Sequence, residues 1–139
     1  MAANPHLLNR PQHNLTLARR DRLMPDESVK VHIDLPNHWA IGGEAMWAKP
    51  LGSNRFQLEN VPFYAYDLNI GDVVEAIAES PELIPSVRRV LERSGHRTLR
   101  VFFNELPRER CEAYLGTLRE HRVSYERATA RYVALDLEP

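Results

Sequence analysis

The stretch Val90–Phe103, "VLERSGHRTLRVFF", decides how the two halves of this chain are joined. Two apolar runs lie on either side of Ser94 and Gly95, and Ser-Gly is a dipeptide typical of turns. The run after the turn alternates between two faces, as a β-strand does. The run before it, in residues 86–93, fits either an edge strand or a short helix. We favour the strand because it would close a hairpin with the run that follows.

The segments before this stretch have the pattern of an antiparallel sheet. The first, "VKVHIDL" at residues 29–35, alternates strictly between apolar and polar side chains. Two further strands, "EAMWAKPLG" and "RFQLENV", are joined by the short turn Ser53-Asn54 and predict a hairpin. Gly71 and Asp72 predict the turn before the next strand, "VVEAIA". The lengths and spacing of these predicted strands resemble those of a small SH3-like barrel.

The segments after it predict one helix and two strands. In residues 104–122, Pro107 suits the first turn of a helix, and apolar side chains recur at helical spacing. These side chains are Cys111, Tyr114, Leu115 and Leu118. Two strands then flank a turn at residues 128–130. The predicted fold class is therefore α+β, with a mostly antiparallel sheet or small SH3-like barrel in the first half, followed by strand-helix-strand-strand.

Length and composition predict one globular domain. The chain has 139 residues, of which 43% are hydrophobic and 27% charged, which is enough for one sizeable core. We expect residues 28–139 to form this single α+β domain and residues 1–27, with three prolines and no clear periodicity, to form an N-terminal arm. No apolar run is long enough to span a membrane, and the N-terminus lacks the pattern of a secretory signal. We therefore expect a cytoplasmic protein.

Charge is distributed unevenly, although the net charge is only −1. Residues 41–87 contain two basic and seven acidic residues, whereas residues 88–131 contain eleven basic and six acidic ones. These segments either neutralise each other in the fold, which we favour, or form a polarised surface for a charged protein partner. The sequence pI of 6.6 argues against nucleic acid as a partner.

Ser94 and His96 resemble a nucleophile and its base. Catalysis of that kind needs the serine hydroxyl within hydrogen-bonding distance of the imidazole, and a third group that orients the ring. The G-x-S-x-G pattern of a nucleophile elbow is absent from the sequence. We therefore interpret the pair as part of a turn, and a polar binding site with Arg93, Arg97 and Arg100 is the alternative.

Neither a metal nor a phosphate-bearing cofactor is indicated. The six histidines include no pair at the helical spacing of a zinc motif, and the single cysteine excludes a multi-cysteine site. The glycines form no phosphate-binding loop. A cluster of arginines could cradle an anion or a partner's carboxylates, although we favour a solvated strand face. The cluster consists of Arg88, Arg89, Arg93, Arg97 and Arg100.

Aromatic residues are dense in the acidic middle of the chain. We predict that Trp47, Phe56 and Phe63 pack in the core. Tyr64 and Tyr66 would share one side of a strand, and exposed tyrosines commonly anchor protein interfaces. These two tyrosines are therefore the better interface candidates.

Four separated motifs in this chain resemble the bacterial domain-of-unknown-function family 4265. The family pattern is W-A-x-P-L-G, then N-x-P-F-x-A-Y, then G-D-V-V, then R-S-G-H-x-T-L-R. Here the motifs occupy, in that order, Trp47–Gly52, Asn60–Tyr66, Gly71–Val74 and Arg93–Arg100. The resemblance covers roughly residues 29–137.

The resemblance implies a single-domain cytoplasmic protein, and some family members resemble immunity proteins of polymorphic toxins. We therefore expect a chain that is not an enzyme, needs no cofactor or metal, and binds and neutralises a cognate bacterial toxin. An ADP-ribosyltransferase-like effector is one candidate for that toxin. We expect neither nucleic acid nor a membrane as a partner. The predicted partner-binding residues are Tyr64, Tyr66, Asp67, Arg93, His96, Arg97 and Arg100.

Two other functions stay open at this point. One is a small anion- or ligand-binding regulatory module around Arg93, Ser94, His96 and Arg100, which should gain thermal stability with phosphate or nucleotide anions. The other is a hydrolase, which should bring Ser94 and His96 together in a concave pocket. An immunity protein needs no catalytic residue and should therefore fold almost normally after Ser94→Ala or His96→Ala.

Overall fold

Eight β-strands, one α-helix and a short 3₁₀ helix form the regular structure of residues 27–139, the part of the chain that this computed structural model describes. The predicted N-terminal arm, apart from Glu27, lies outside the described residues. In chain order the elements are β1 (Val29–Asp34), β2 (Gly43–Gly52), β3 (Arg55–Leu58), β4 (Val73–Ile77), β5 (Ser86–Glu92), β6 (Arg97–Phe102), α1 (Arg108–Thr117), the 3₁₀ helix (Leu118–His121), β7 (Val123–Arg127) and β8 (Tyr132–Leu137). The predicted α+β class is confirmed.

The first five strands form a closed barrel. Neighbouring strands pair antiparallel from β1 to β5, and β5 closes the barrel by pairing parallel to β1 at Ser86 and His32. Because side chains alternate along a strand, every second residue faces inward. The core therefore consists of aliphatic side chains such as Val31, Met46 and Val74, all of them buried. The small barrel predicted for the first half is confirmed.

The last three strands form a second sheet, in the order β6-β8-β7. The helix α1 packs on one face of this sheet, where Cys111 and Leu115 meet Phe103, Val133 and Leu135. The predicted order of strand, helix and two strands is confirmed. Among residues 27–139, no helix is long and apolar enough to cross a membrane.

The hairpin predicted around Ser94 and Gly95 is wrong, although residues 86–92 do form a strand rather than a helix. Inside the closed barrel β5 pairs with both β4 and β1, so it has no free edge to offer β6. β6 instead begins the second sheet and pairs with β8. Gly95 has a φ of 89°, which glycine adopts without steric strain, and the chain bends out of the barrel there. The stretch Val90–Phe103 is thus the connection between two sheets.

Residues 59–72 contain no strand, which corrects the strand predicted to carry Tyr64 and Tyr66. The physical reason lies in the backbone N–H groups of residues 63–65. They donate to the carboxylate of Glu44 instead of to a neighbouring strand. The positions of the two tyrosines are therefore set by loop geometry and not by strand alternation.

The predicted core position of Trp47 is also wrong. Strand β2 turns Met46 and Ala48 inward, so the tryptophan between them faces outward. It is half-buried there, and the ammonium of Lys30 lies 5.2 Å from the centre of its ring. Phe56 packs against the barrel core as predicted, whereas Phe63 is half-buried and belongs to neither core cluster of the described residues.

Candidate functional site

The candidate site is built on residues 59–72 between β3 and β4, which we call the bridging loop. Side chains of the barrel and of the second sheet both hold this loop by hydrogen bonds to its backbone. Such bonds are needed because a loop without a strand partner leaves its own N–H and C=O groups unpaired. The bridging loop therefore joins the two sheets and fixes whatever side chains it carries.

The barrel holds the bridging loop through Glu44. One oxygen of this carboxylate accepts the N–H of Phe63 at 2.6 Å, and the other accepts those of Tyr64 and Ala65, both at 2.9 Å. Glu44 lies at the start of β2 and is only 8% exposed. A buried carboxylate with three N–H donors is well compensated for the loss of water, so it acts as a clamp on the loop.

The second sheet holds the same part of the loop from the other side. The guanidinium of Arg100 donates from Nε to the Phe63 carbonyl at 2.9 Å and from a terminal nitrogen to the Ala65 carbonyl at 2.6 Å. The hydroxyl of Tyr132 donates to the same Phe63 carbonyl at 2.6 Å. Arg100 was predicted to bind a partner, but here its N–H groups are used to position the loop.

The far end of the loop is held by Asp72, which is completely buried. Its carboxylate accepts the backbone N–H of Ser94 at 2.8 Å and that of Asn69 at 3.0 Å, and it lies 3.4 Å from the guanidinium of Arg93. Arg93 also donates to the backbone carbonyl of Asp67. Both Arg93 and Asp67, predicted as partner-binding residues, therefore take part in contacts within the chain.

Ser94 and His96 do not have the geometry of a nucleophile and its base. The Ser94 hydroxyl donates to the carbonyl of Ile70 at 2.7 Å and accepts the backbone N–H of His96 at 3.2 Å. The His96 ring nitrogen Nδ1 lies 2.8 and 2.9 Å from the two carboxylate oxygens of Asp136, a residue only 4% exposed. Within the described residues the imidazole therefore pairs with Asp136 and not with Ser94. Because Asp136 belongs to β8, this contact holds the bend against that strand.

The near end of the loop carries a row of aromatic contacts. Tyr64 stacks on Tyr132 with ring centroids 5.5 Å apart and planes 15° apart. The His38 ring meets Tyr64 edge-on at 5.5 Å and stacks on Trp39 at 6.0 Å. Trp39 is 94% exposed, so the row runs from the sheet out into solvent.

Two further exposed rings continue this row along the second sheet. Tyr66 is 71% exposed, and the Arg100 guanidinium lies 4.7 Å from its centroid. Phe102 is 62% exposed and pairs with Tyr132 in the β6–β8 ladder, which places both side chains on one face. We call this surface the aromatic patch; it consists of Trp39, Tyr64, Tyr66, Phe102 and Tyr132.

The structure divides the predicted partner-binding residues into two groups. Tyr64 and Tyr66 lie in the aromatic patch, with Arg100 beneath Tyr66. Arg93, His96 and the exposed Arg97 lie at the bend between β5 and β6, and Asp67 contacts this bend because its backbone carbonyl accepts a hydrogen bond from Arg93. The sequence predicted the tyrosines from the acidic middle of the chain and the arginines from the stretch around Ser94 and Gly95, and the structure keeps these two sets apart.

Three residues of the aromatic patch were missed in the sequence. Trp39 stands in the segment "PNHWAIGG", where a tryptophan among turn-forming residues has no apolar face to join. The turn-forming residues around Trp39 therefore indicated that its side chain is exposed. Phe102 and Tyr132 gave no such signal, because only the pairing of β6 with β8 brings them side by side.

Tyr132 provides a pH-dependent test of the loop contacts. Burial raises the pKa of its hydroxyl above the ordinary value of 10.0, and Tyr66, Tyr64 and Glu44 add to this, while Arg100 opposes it. The unfolded chain therefore loses this proton first as the pH rises, so the free energy of unfolding falls above about pH 10. Tyr132→Phe should cost about 1 kcal/mol near neutral pH, and the difference from the native protein should shrink above pH 10.

Urea unfolding of both proteins across this pH range measures the difference. Tyr114→Phe is the control, since Tyr114 is a half-exposed helix residue whose hydroxyl accepts a hydrogen bond from the exposed Arg110 side chain and does not contact the bridging loop. A stability difference that stays constant across the pH range would contradict the role of the Tyr132 hydroxyl as a donor to the loop.

No group of three or more histidine, cysteine, aspartate or glutamate side chains within residues 27–139 is placed to hold a metal ion. The clustered polar side chains of this region instead bind the bridging loop. The chemistry that the geometry does offer is recognition by exposed aromatic rings.

Comparison with known proteins gives a family and a fold. The sequence matches the family described as Domain of unknown function (DUF4265) over residues 44–139, which begins at Glu44 and includes the whole bridging loop and second sheet. The fold is similar to a solved structure described as "Novel crystal structure of a hypothetical protein from Neisseria gonorrhoeae". The two share 19% identity with a TM-score of 0.66, over 81% of this chain and 77% of that one, a likeness in fold alone. No curated protein matches.

Proposed function

The chain belongs to the DUF4265 family, and we propose that it acts in the cytoplasm as an immunity protein that binds and neutralises a cognate bacterial toxin. The aromatic patch is the observation that carries this proposal. It gathers Trp39, Tyr66 and Phe102, each more than half exposed, on one side of the molecule. Tryptophan and tyrosine are among the residues that dominate the binding free energy of protein interfaces.

The contacts beneath the patch support a binding role, because they hold the rings in place before a partner arrives. Tyr64 and Tyr66 belong to a loop clamped by Glu44 on one side and Arg100 on the other. The loop of Trp39 is also ordered, since the N–H groups of Ala40 and Ile41 donate to the His38 ring. A preorganised surface loses little conformational entropy on binding, which favours the tight complexes that toxin neutralisation requires.

Nothing in the geometry favours the anion-binding module. Its proposed cradle needs free guanidinium groups, but Arg100 donates to two loop carbonyls and Arg93 binds Asp72 and Asp67. An anion at either arginine would have to replace contacts that hold the bridging loop. The hydrolase has no support either, since the Ser94 hydroxyl donates to a backbone carbonyl.

The test begins with capture of the partner from the native host by a tagged copy of the chain. The captured protein must be toxic when expressed alone in a second bacterium and harmless when co-expressed with this chain. Absence of a partner that meets both criteria, under conditions that retain stoichiometric complexes at high salt, would overturn the proposal.

The aromatic patch then predicts which substitutions weaken the complex. Trp39→Ala and Tyr66→Ala should each lower the affinity for the toxin at least tenfold, as loss of an aromatic anchor does. Both residues are largely exposed, so the melting temperature should barely change. The matched control is Tyr114→Ala, which removes a tyrosine that is 51% exposed on α1, away from the patch. Equal losses for all three variants would contradict the patch as the binding surface.

A further inference from the structure

The second sheet ends in an open edge at β6. This strand pairs with β8 on one side, and no strand of residues 27–139 lies on the other. The Phe103 N–H donates to the Arg131 carbonyl on the β8 side at 2.8 Å. Backbone groups of successive residues alternate between the two sides of a strand. The N–H and C=O groups that face away from β8 are therefore those of Thr98, Arg100 and Phe102.

This edge lacks most of the features that usually protect an edge strand, although Arg97 and Arg100 place two charged side chains on it. Its six residues pair with β8 in one continuous register without a bulge, and the strand contains no proline or lysine. Large apolar side chains are exposed on both faces, with Leu99 at 55% and Phe102 at 62%. Phe102 also belongs to the aromatic patch, so the open edge and the patch form one continuous surface.

We propose that an extended segment of the toxin adds to β6 as a further strand of the second sheet, while the aromatic patch receives its apolar side chains. This inference rests on the proposed function and names how the partner binds. Main-chain hydrogen bonds to the outward groups of β6 would supply the pairing, as in other complexes formed by strand addition. The added strand would carry apolar residues on the face that it shares with Phe102 and an acidic residue beside Arg97 on the opposite face.

Charge favours an acidic strand of another protein over a second copy of this chain. Arg97 is exposed at the start of the edge, and no carboxylate within residues 27–139 forms an ion pair with it. If two copies paired antiparallel with Thr98 opposite Phe102, the two Arg100 residues would lie directly opposite each other. Like charges in that position are destabilising.

A synthetic peptide tests the edge without the toxin. The probe is a capped nine-residue peptide of alternating valine and glutamate, added to the full chain and followed by amide NMR. We expect the amide signals of Thr98, Arg100 and Phe102 to shift and their hydrogen exchange to slow. The same peptide methylated on alternate backbone nitrogens should have no effect, because it cannot donate to the edge. No change with the unmethylated peptide would overturn the inference.

A pair of substitutions separates main-chain pairing from side-chain contact. Phe102→Ala removes only the ring, whereas Phe102→Pro removes the ring and the outward N–H without removing a hydrogen bond to β8. We expect Phe102→Pro to bind the peptide about tenfold more weakly than Phe102→Ala, since hydrogen bonds at the edge are lost. Melting curves of both variants confirm that the sheet is intact, and equal affinities would overturn the inference.

The same two variants distinguish this inference from the proposed function. If the toxin binds Phe102→Pro as well as Phe102→Ala, the immunity role stands and strand addition is wrong. If no toxin is captured but the peptide pairs with the edge, strand addition to β6 stands and the immunity role is wrong. Protection of the β6 amides in the chain alone, together with a dimeric mass, would overturn the proposal in favour of a second copy.

Discussion

Glu44→Ala is expected to lower the free energy of unfolding by about 3–5 kcal/mol, because three backbone N–H groups lose a buried charged acceptor at once. These are the N–H groups of Phe63, Tyr64 and Ala65, which lie 2.6–2.9 Å from the carboxylate oxygens. Alanine offers no acceptor, and Glu44 is too deeply buried for water to replace the carboxylate without rearrangement of the loop. Urea unfolding followed by circular dichroism measures the loss.

Glu44→Gln is the matched control, since it keeps the size and one oxygen acceptor while it removes the charge. We expect it to lose about half as much stability as the alanine variant, because its NH₂ group would face N–H donors. Both variants should also weaken toxin binding, since the clamp positions Tyr64. A stability close to that of the native protein for Glu44→Gln would show that the carboxylate does not hold the bridging loop.

The sequence predicted the regular elements well because each of them depends on local patterns. Alternation predicted the barrel strands, and the helical spacing around Cys111 and Leu115 predicted α1. What alternation could not predict was the partner of each strand. Ser94 and Gly95 suggest a hairpin by composition, yet β5 already has two neighbours in the barrel. Pairing depends on closure of the whole barrel, a property that no short segment contains.

The candidate site was harder to predict for a related reason. Arginine and histidine near a turn suggest a binding surface, but Arg100 and His96 are used to satisfy groups within the chain. A sequence shows which side chains can donate hydrogen bonds, and only the fold shows which backbone groups lack acceptors or donors. The side-chain donors of Arg100 and Tyr132 bind carbonyl groups of the bridging loop, because the loop has no neighbouring strand to pair with them. The exposed rings are therefore left as the proposed binding surface.

His96→Ala is expected to lower the free energy of unfolding by about 2–3 kcal/mol, which revises the near-normal folding expected from the sequence. Its Nδ1 is paired with Asp136, whose side chain is 5% exposed against 26% for the histidine. Removal of the ring leaves a buried carboxylate without its partner in the strand next to β6. The bend between barrel and second sheet would lose its anchor to β8 at the same time.

A double-mutant cycle with Asp136→Ala separates the lost hydrogen bond between the two side chains from the lost packing. The double variant should be less destabilised than the sum of the two single variants, because it removes the buried acceptor together with its donor. His96→Asn should recover part of the loss, since its amide can donate from nearly the position of Nδ1. Strict additivity, with no recovery by asparagine, would show that the ring acts by packing alone. Toxin affinity should change little in His96→Asn, because the His96 ring contacts Asp136 and belongs neither to the aromatic patch nor to the open edge of β6, and a large loss would contradict this placement of the interface.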